Sequence, residues 1–155
     1  MAIKNYTSNV SPFVSIGEIQ SALAKHGATK VMIDYEVGVP RAVTFALPDA
    51  RLGLRGFRLP AVIDGVMRVF KSQGIKADRH QAERTAWRNI RDWVLAQLAL
   101  VESCDVPMDQ VFLPYLADIN GNTLYDAYTA GKLLPGGIDE NGRTVSSNHG
   151  PVAQR

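Results

Sequence analysis

Apolar and polar positions follow a helical period through residues 79–101, and this pattern predicts the central helix of the protein. Taking about 100° per residue, the apolar side chains fall in one broad arc, with Trp87 towards one edge of it. The arc consists of Ala86, Ile90, Trp93, Val94, Leu98, Leu100 and Val101. Asp78 and Gln81 have the spacing of a helix cap. We therefore predict a helix of about seven turns that starts after Asp78 and buries Trp93 more deeply than Trp87.

A capping pattern predicts an earlier, shorter helix. Ser15 and Glu18 form the S-x-x-E spacing in which each side chain hydrogen bonds to the backbone near the other residue. The helix is expected from about Ile16 to His26. Gly27 follows at the position where helices commonly end in a left-handed glycine.

Alternation of apolar and polar residues then predicts three strands. The first two are expected near residues 31–36 and 42–47, and the third within 52–59. A second helix is expected next, with Pro60 in its first turn and Gly74 at its end.

The order of these elements, α-β-β-β-α-α, predicts the fold class. It is typical of an α+β protein with a three-stranded antiparallel sheet and helices packed on one face. Short helices are expected after the long one. We predict a single domain at residues 1–134 and a flexible C-terminal tail at 135–155, because the tail has few apolar residues.

Composition limits the cellular setting. The chain has 155 residues, of which 46% are hydrophobic and 21% charged, as in ordinary soluble domains. Its single cysteine, Cys104, excludes an internal disulfide and favours a reducing compartment. No apolar run approaches the roughly 18–20 residues of a membrane span, and the first residues lack the apolar centre of a secretory signal. We expect a cytoplasmic protein that does not enter the membrane.

Charge is distributed unevenly along the chain. The net charge is only +2, but residues 51–91 contain ten basic and three acidic residues, a net +7. From residue 102 onward there are three basic and seven acidic residues, a net −4. This asymmetry predicts an anionic partner for the middle of the chain. The alternative is a solvated surface whose two halves partly neutralise each other.

Seven arginines are the candidate site residues. Those of the long helix share one face at i, i+4 and i+7, where they can contact successive phosphates, and those near the third strand can form a second line of contacts. The candidates are Arg51, Arg55, Arg58, Arg79, Arg84, Arg88 and Arg91. Tyr35, Phe57 and Trp87 are candidates for stacking on unpaired bases. In the competing interpretation, Arg88 pairs with Asp92 and the other arginines are solvated.

Other patterns do not amount to a catalytic, metal or cofactor site. His80 and Glu83 form H-x-x-E without a further ligand pattern. The segment from Asp118 resembles the start of a calcium loop but lacks its glycine and its final glutamate, so we interpret it as a turn. Cys104 is expected to be a buried structural thiol. We predict no cofactor and lean against an enzyme.

Several short segments resemble a family of small proteins encoded by phages and prophages. They are A-E-R-T-A-W-R-N-I-R-D-W at 82–93, V-F-L-P-Y at 111–115, I-x-x-A-L-A-K-H-G-A at 19–28 and F-R-L-P at 57–60. The resemblance spans roughly residues 6–134. It implies an accessory role in the host cytoplasm, in phage DNA metabolism or in countering host defence, and it assigns no catalytic residue.

Three functions follow as hypotheses. The first is a non-catalytic protein that binds single-stranded DNA or RNA through the arginines. The second is a protein-interaction or inhibitor module whose basic face docks an acidic partner, with a homo-oligomer as an open alternative. The third is a small enzyme or a nucleotide-binding protein.

Overall fold

A four-stranded antiparallel sheet forms the centre of the fold. The computed structural model describes residues 1–132, 137–138, 141 and 144–145. In sheet order the strands are β1 (Lys30–Glu36), β2 (Val39–Asp49), β3 (Gly53–Pro60) and β4 (Leu116–Ala117). The predicted α+β class with an antiparallel sheet is confirmed, but the prediction of three strands is wrong. β4 pairs its two residues with Gly56 and Phe57, and a two-residue strand is too short to leave an alternating pattern.

Five α-helices and a 3₁₀ turn (Leu113–Tyr115) accompany the sheet within the described residues. The helices are α1 (Pro12–Lys25), α2 (Ile63–Ser72), α3 (Arg79–Cys104), α4 (Met108–Val111) and α5 (Leu124–Thr129). α3 has 26 residues, and the carboxylate of Asp78 caps it by accepting the N–H of Gln81 at 2.8 Å. The long central helix therefore starts where the sequence predicts.

α1 begins one turn before its predicted start. Ser11 is the N-cap residue and Pro12 occupies the first helical position, where a missing N–H costs nothing. Ser15 consequently lies inside the helix, fully buried, and the predicted capping box with Glu18 does not form. Gly27 follows the helix with a φ of 100°, as expected.

Pro60 also has a different role from the predicted one. It ends β3, opposite Ala42, and α2 begins only at Ile63. Gly74 follows α2 with a φ of 68°, in agreement with the predicted end of this helix.

The main hydrophobic core lies between the sheet and two helices, α1 and α3. It contains Ile19 and Leu23 from α1, Phe45 and Phe57 from the sheet, and residues from α3 and α4–β4. The rings of Phe45 and Phe57 stack at 5.2 Å, which fixes the centre of this core. α1 and α3 therefore pack on the same face of the sheet.

The buried face of α3 is rotated relative to the predicted apolar arc. Trp87 is fully buried and its indole N–H donates to the carbonyl of Pro40 at 3.1 Å, whereas Trp93 is only partly buried. Trp87 packs in the main core against the sheet and α1, and its bond to Pro40 ties it to β2. Beside it, α2 packs on Ala82 and Ala86 near the start of α3 and forms a second, smaller core.

On the opposite face of the sheet, the α5 residues Tyr125 and Asp126 line a pocket together with Arg58. Met32 of β1 is 59% exposed there, in register with Thr44 and Arg58. Within the predicted tail, the structure describes a two-residue pairing of β5 (Gly137–Ile138) with β6 (Thr144–Val145). The predicted boundary at residue 134 and the predicted flexibility of the tail otherwise lie outside the described residues.

Candidate nucleic-acid interface

The arginines predicted to share one face of α3 are Arg84, Arg88 and Arg91, which we call the arginine stripe. Two of them, Arg88 and Arg91, hold α1 against α3. Arg88 Nη1 and Arg91 Nε donate to the same oxygen, Oε2 of Glu18, at 2.7 and 2.8 Å. Arg91 Nη1 also bonds to Asp92 at 3.0 Å. Both arginine side chains are largely buried by this packing, at 21% and 26% exposure. Their charges are therefore compensated inside the fold, and the expected pairing of Arg88 with Asp92 is replaced by a contact between two helices.

Asp92 attaches the N-terminal arm, residues 1–10, to α3. It accepts hydrogen bonds from Lys4 Nζ at 2.9 Å and from Asn5 Nδ2 at 3.0 Å. Burial by itself would raise the pKa of Asp92, but the bonds from Asn5, Lys4 and Arg91 outweigh it and lower this pKa to about 2. The carboxylate is thus held ionised by the contacts that fix the arm.

Arg84 differs from the other two arginines of the stripe. Its Nε donates to the carbonyl of Ser8 at 3.2 Å and its Nη2 donates to Oε1 of Gln81 at 2.6 Å. Both acceptors are neutral, so the guanidinium is held in place while its charge stays uncompensated. Further N–H groups of the guanidinium have no acceptor among the described residues.

Arg84 lies in an open cleft of about 790 Å³, which we call the arm cleft. The N-terminal arm, the α2–α3 loop and the first turns of α3 form its walls. The lining residues are Tyr6, Thr7, Asn9, Ile75, Lys76, Ala77, Asp78, Gln81 and Arg84. Tyr6 is 39% exposed, and Lys76 is exposed with no carboxylate partner among the described residues. Asp78 is the carboxylate of this lining, and it is engaged in capping α3.

The two arginines of β3, and Arg51 in the turn before it, lie apart from this cleft. Arg58 projects from the outer face of the sheet, where it pairs with Asp34 at 3.3 Å, while α3 covers the other face. Arg55 pairs with Asp49, and Arg51 is exposed without a side-chain partner among the described residues. The seven predicted residues therefore do not form one continuous strip.

Arg79, at the start of α3, is also paired. Its Nη1 lies 2.7 Å from Asp64 of α2, and this hydrogen bond lowers the pKa of Asp64 and raises that of Arg79. Among the seven arginines, Arg51 and Arg84 remain without a carboxylate within the described part of the chain. The exposed α2 residues Arg68 and Lys71 form no described hydrogen bond or ion pair, although the charge of Arg68 contributes to lowering the pKa of Asp64.

The predicted stacking residues are only partly available. Phe57 and Trp87 are fully buried, whereas Tyr35 is 56% exposed at the end of β1. Tyr6 and Lys76 line the arm cleft but are not among the candidates that the sequence predicted. The signal for Lys76 was present in the basic segment, but Tyr6 stands in an arm without periodicity.

The remaining candidates behave as surface groups. His80 and Glu83 lie 3.6 Å apart with His80 80% exposed, and no group of three or more metal-binding side chains occurs among the described residues. Asp118 bonds to the backbone N–H groups of Asn120 and Asn122 within its own loop, which supports its interpretation as a turn. Cys104 is exposed at the last position of α3, so the expectation of a buried thiol is wrong.

No protein-family model, curated protein or solved structure matches the chain. No helix in the described part of the chain combines the length and the apolar character needed to cross a membrane.

Proposed function

We propose that the chain is a non-catalytic accessory protein that binds single-stranded nucleic acid in the arm cleft. The observation that supports this function is the state of Arg84. Its guanidinium is oriented by Ser8 and Gln81, forms no ion pair with a carboxylate of the described residues and lies in a cleft open to solvent. An arginine held in this way loses little side-chain entropy when its free N–H groups bind a phosphate.

The other lining residues fit the same ligand class. Lys76 supplies a second positive charge, and Tyr6 offers a partly exposed ring on which a base can stack. Thr7 and Asn9 add neutral hydrogen-bonding groups of the kind that contact sugars and phosphates. The cleft is wide open to solvent, which leaves room for a chain that continues beyond one nucleotide.

The biological setting is part of the proposal. The short segments that resemble phage and prophage proteins, such as residues 82–93, motivate an accessory role in the cytoplasm of a host cell. The competing hypothesis assigns the same uncompensated charges to an acidic protein partner.

Fluorescence anisotropy with a labelled single-stranded oligonucleotide tests the function. The test variant is Lys76→Gln with Arg84→Gln, and the matched control is Arg51→Gln, which removes an unpaired charge far from the cleft. We expect the double variant to weaken binding at least about tenfold and to reduce the salt slope by about 1.4, as the loss of two phosphate contacts to a single strand requires. Arg51→Gln should leave the slope unchanged.

Two results would count against the nucleic-acid proposal. One is an absence of binding by the unaltered protein at about 50 mM salt, where phosphate contacts are strong. The other is an equal loss of oligonucleotide affinity in the cleft double variant and in Arg51→Gln, which would show only a diffuse charge effect. A protein partner that is captured from cells after nuclease treatment, and lost with Arg84→Gln, would favour the second hypothesis.

A further inference from the structure

β1 is an edge strand whose outer side has no neighbour among the described residues. The sheet order β1-β2-β3-β4 leaves one long side of this seven-residue strand unpaired. Its side chains are also accessible: Met32 is 59% and Tyr35 56% exposed. An open edge of this kind presents backbone N–H and C=O groups to another strand.

The hydrogen bonds of β2 show which residues of β1 present these groups. The N–H of Ala61 donates to the carbonyl of Arg41 at 2.7 Å, so Arg41 and alternate residues after it face β3. The residues between them face β1, as the bond from Thr29 N–H to the Ala46 carbonyl at 3.0 Å shows. The β2 residues that face β1 are therefore Ala42, Thr44 and Ala46.

Those three residues are paired with Asp34, Met32 and Lys30 of β1. The backbone groups of these β1 residues consequently point into the sheet. The register shifts by one residue between Asp34 and Tyr35, but the unpaired residue is Arg41 of β2, so β1 keeps its own alternation. The residues between and beside the three paired ones, Val31, Ile33 and Tyr35, therefore direct their N–H and C=O groups to the open edge.

We propose that two copies of the chain join through β1, antiparallel and two-fold symmetric about Ile33, so that the two sheets become one. In this register Ile33 faces Ile33 of the second copy, and Val31 faces Tyr35. All three outward-facing residues then exchange hydrogen bonds, and the strand is used over its full length, Lys30–Glu36. The inference concerns a surface separate from the arm cleft and does not depend on the proposed function.

The charges of β1 favour a second copy as the occupant. In the same register Lys30 faces Glu36 of the second copy, and Glu36 faces Lys30, so opposite charges meet at both ends of the interface. These positions are non-hydrogen-bonded pairs, at which side chains of neighbouring strands approach most closely.

The neighbouring registers are less favourable. Moving the two-fold axis to Asp34 brings two identical carboxylates together at the axis. Moving it to Met32 places Tyr35 opposite Thr29, whose N–H is already bonded to β2, so the outward groups of Tyr35 lose their partner. The axis at Ile33 is the arrangement that satisfies the backbone and the charges together.

Charge exchange between two variants tests the register. Lys30→Glu alone places two carboxylates at each end of the interface, and Glu36→Lys alone places two ammonium groups there. Sedimentation velocity should show each variant dimerising about tenfold more weakly than the unaltered protein, since two attractive pairs become repulsive. When the two variants are mixed, opposite charges face each other again, and the heterodimer should form with the original affinity.

The mixture separates the interface from effects on folding. Glu36→Lys also removes an ion pair with Arg41 at 2.8 Å, but this loss is the same in the single variant and in the mixture. Lys132→Glu is the matched control, because it makes the same charge change at an exposed lysine outside β1 and should leave the dimer intact. Tyr35→Pro should abolish the dimer, since it removes an outward N–H and proline is tolerated at a sheet edge.

The proposal is overturned if the unaltered protein sediments as a monomer throughout a micromolar concentration series. It is also overturned if Tyr35→Pro keeps its melting temperature and remains a dimer. A mixture of the two charge variants that stays as weak as each variant alone would exclude the axis at Ile33.

Discussion

Replacing Glu18 by glutamine tests whether the arginine stripe on α3 stabilises the fold. Glu18 receives hydrogen bonds from Arg88 and Arg91 at 2.7 and 2.8 Å, so a single substitution removes the charge that both arginines contact. Glutamine keeps the length of the side chain and one acceptor oxygen. The perturbation is therefore electrostatic, with little change in packing.

The expected cost follows from the exposure of the three groups. A hydrogen bond to a charged group contributes about 1.5–3 kcal/mol when it is well buried. Glu18 is 39% exposed, so solvent screens its contacts, and we expect the two bonds together to contribute about 2 kcal/mol. Glu18→Gln should lower the free energy of unfolding by about 1–2 kcal/mol, because the amide retains part of the interaction.

Urea denaturation followed by circular dichroism measures this loss, and a double-mutant cycle with Arg88→Gln assigns it. Arg88 is the better partner for the cycle, because its only described ion pair is with Glu18. A coupling energy of about 1 kcal/mol is expected for groups in direct contact. Oligonucleotide binding should remain unchanged in both single variants, since neither residue lines the arm cleft.

A coupling energy below about 0.3 kcal/mol would refute this assignment, since that is the level found for independent sites. The stripe would then be solvated, and its charges would again be available to a partner. The same contacts imply that changing Arg84, Arg88 and Arg91 together to glutamate would place new carboxylates against Glu18. Loss of binding in that triple variant would therefore not distinguish an interface from an unfolded protein.

Two further predictions concern stability. Trp87→Ala should lower the free energy of unfolding by about 4–6 kcal/mol, because it removes a buried aromatic ring and leaves the Pro40 carbonyl without its donor. Trp93→Ala should lower it clearly less, because Trp93 is only partly buried. Chemical denaturation of the two variants checks this order, and Trp87→Phe keeps the comparison measurable if the alanine variant does not fold. Asp92 has a folded-state pKa of about 2, below its ordinary value of 3.8, so it stabilises the fold above pH 4 or so. This contribution, about 2 kcal/mol, should be lost as the pH falls from about 4 to about 2. The Asp92→Asn variant should be less stable than the unaltered protein at about pH 6. In thermal melts between about pH 4 and pH 2, it should lack this part of the loss of stability.

Local patterns in the sequence predicted the elements that depend on local contacts. The cap at Asp78 fixed the start of α3 correctly, because the N-cap bond involves neighbouring residues. α1 was placed one turn late because two serines, Ser11 and Ser15, both carry capping signals. Packing decides between them, since Ser15 is buried against the core and cannot act as an exposed cap.

Features that depend on distant contacts were not predictable in the same way. Glu18 and Arg88 are 70 positions apart, so their ion pair has no signature in sequence spacing. The same holds for the Ser8 carbonyl that orients Arg84, 76 positions away. Charge counting found the basic segment, but only the three-dimensional partners show which of its cations are neutralised.

The attachment of the N-terminal arm to α3 has a consequence for synthesis on the ribosome. The Asn5 carbonyl accepts a hydrogen bond from Thr85, 80 residues later in the chain. At elongation rates of about 5–20 residues per second, the arm waits roughly 4–16 seconds before its docking helix has been made. The β1–β2–β3 hairpins involve near neighbours and can pair during this interval. The arm is therefore synthesised before the sheet but can reach its final position only after the sheet strands have been made.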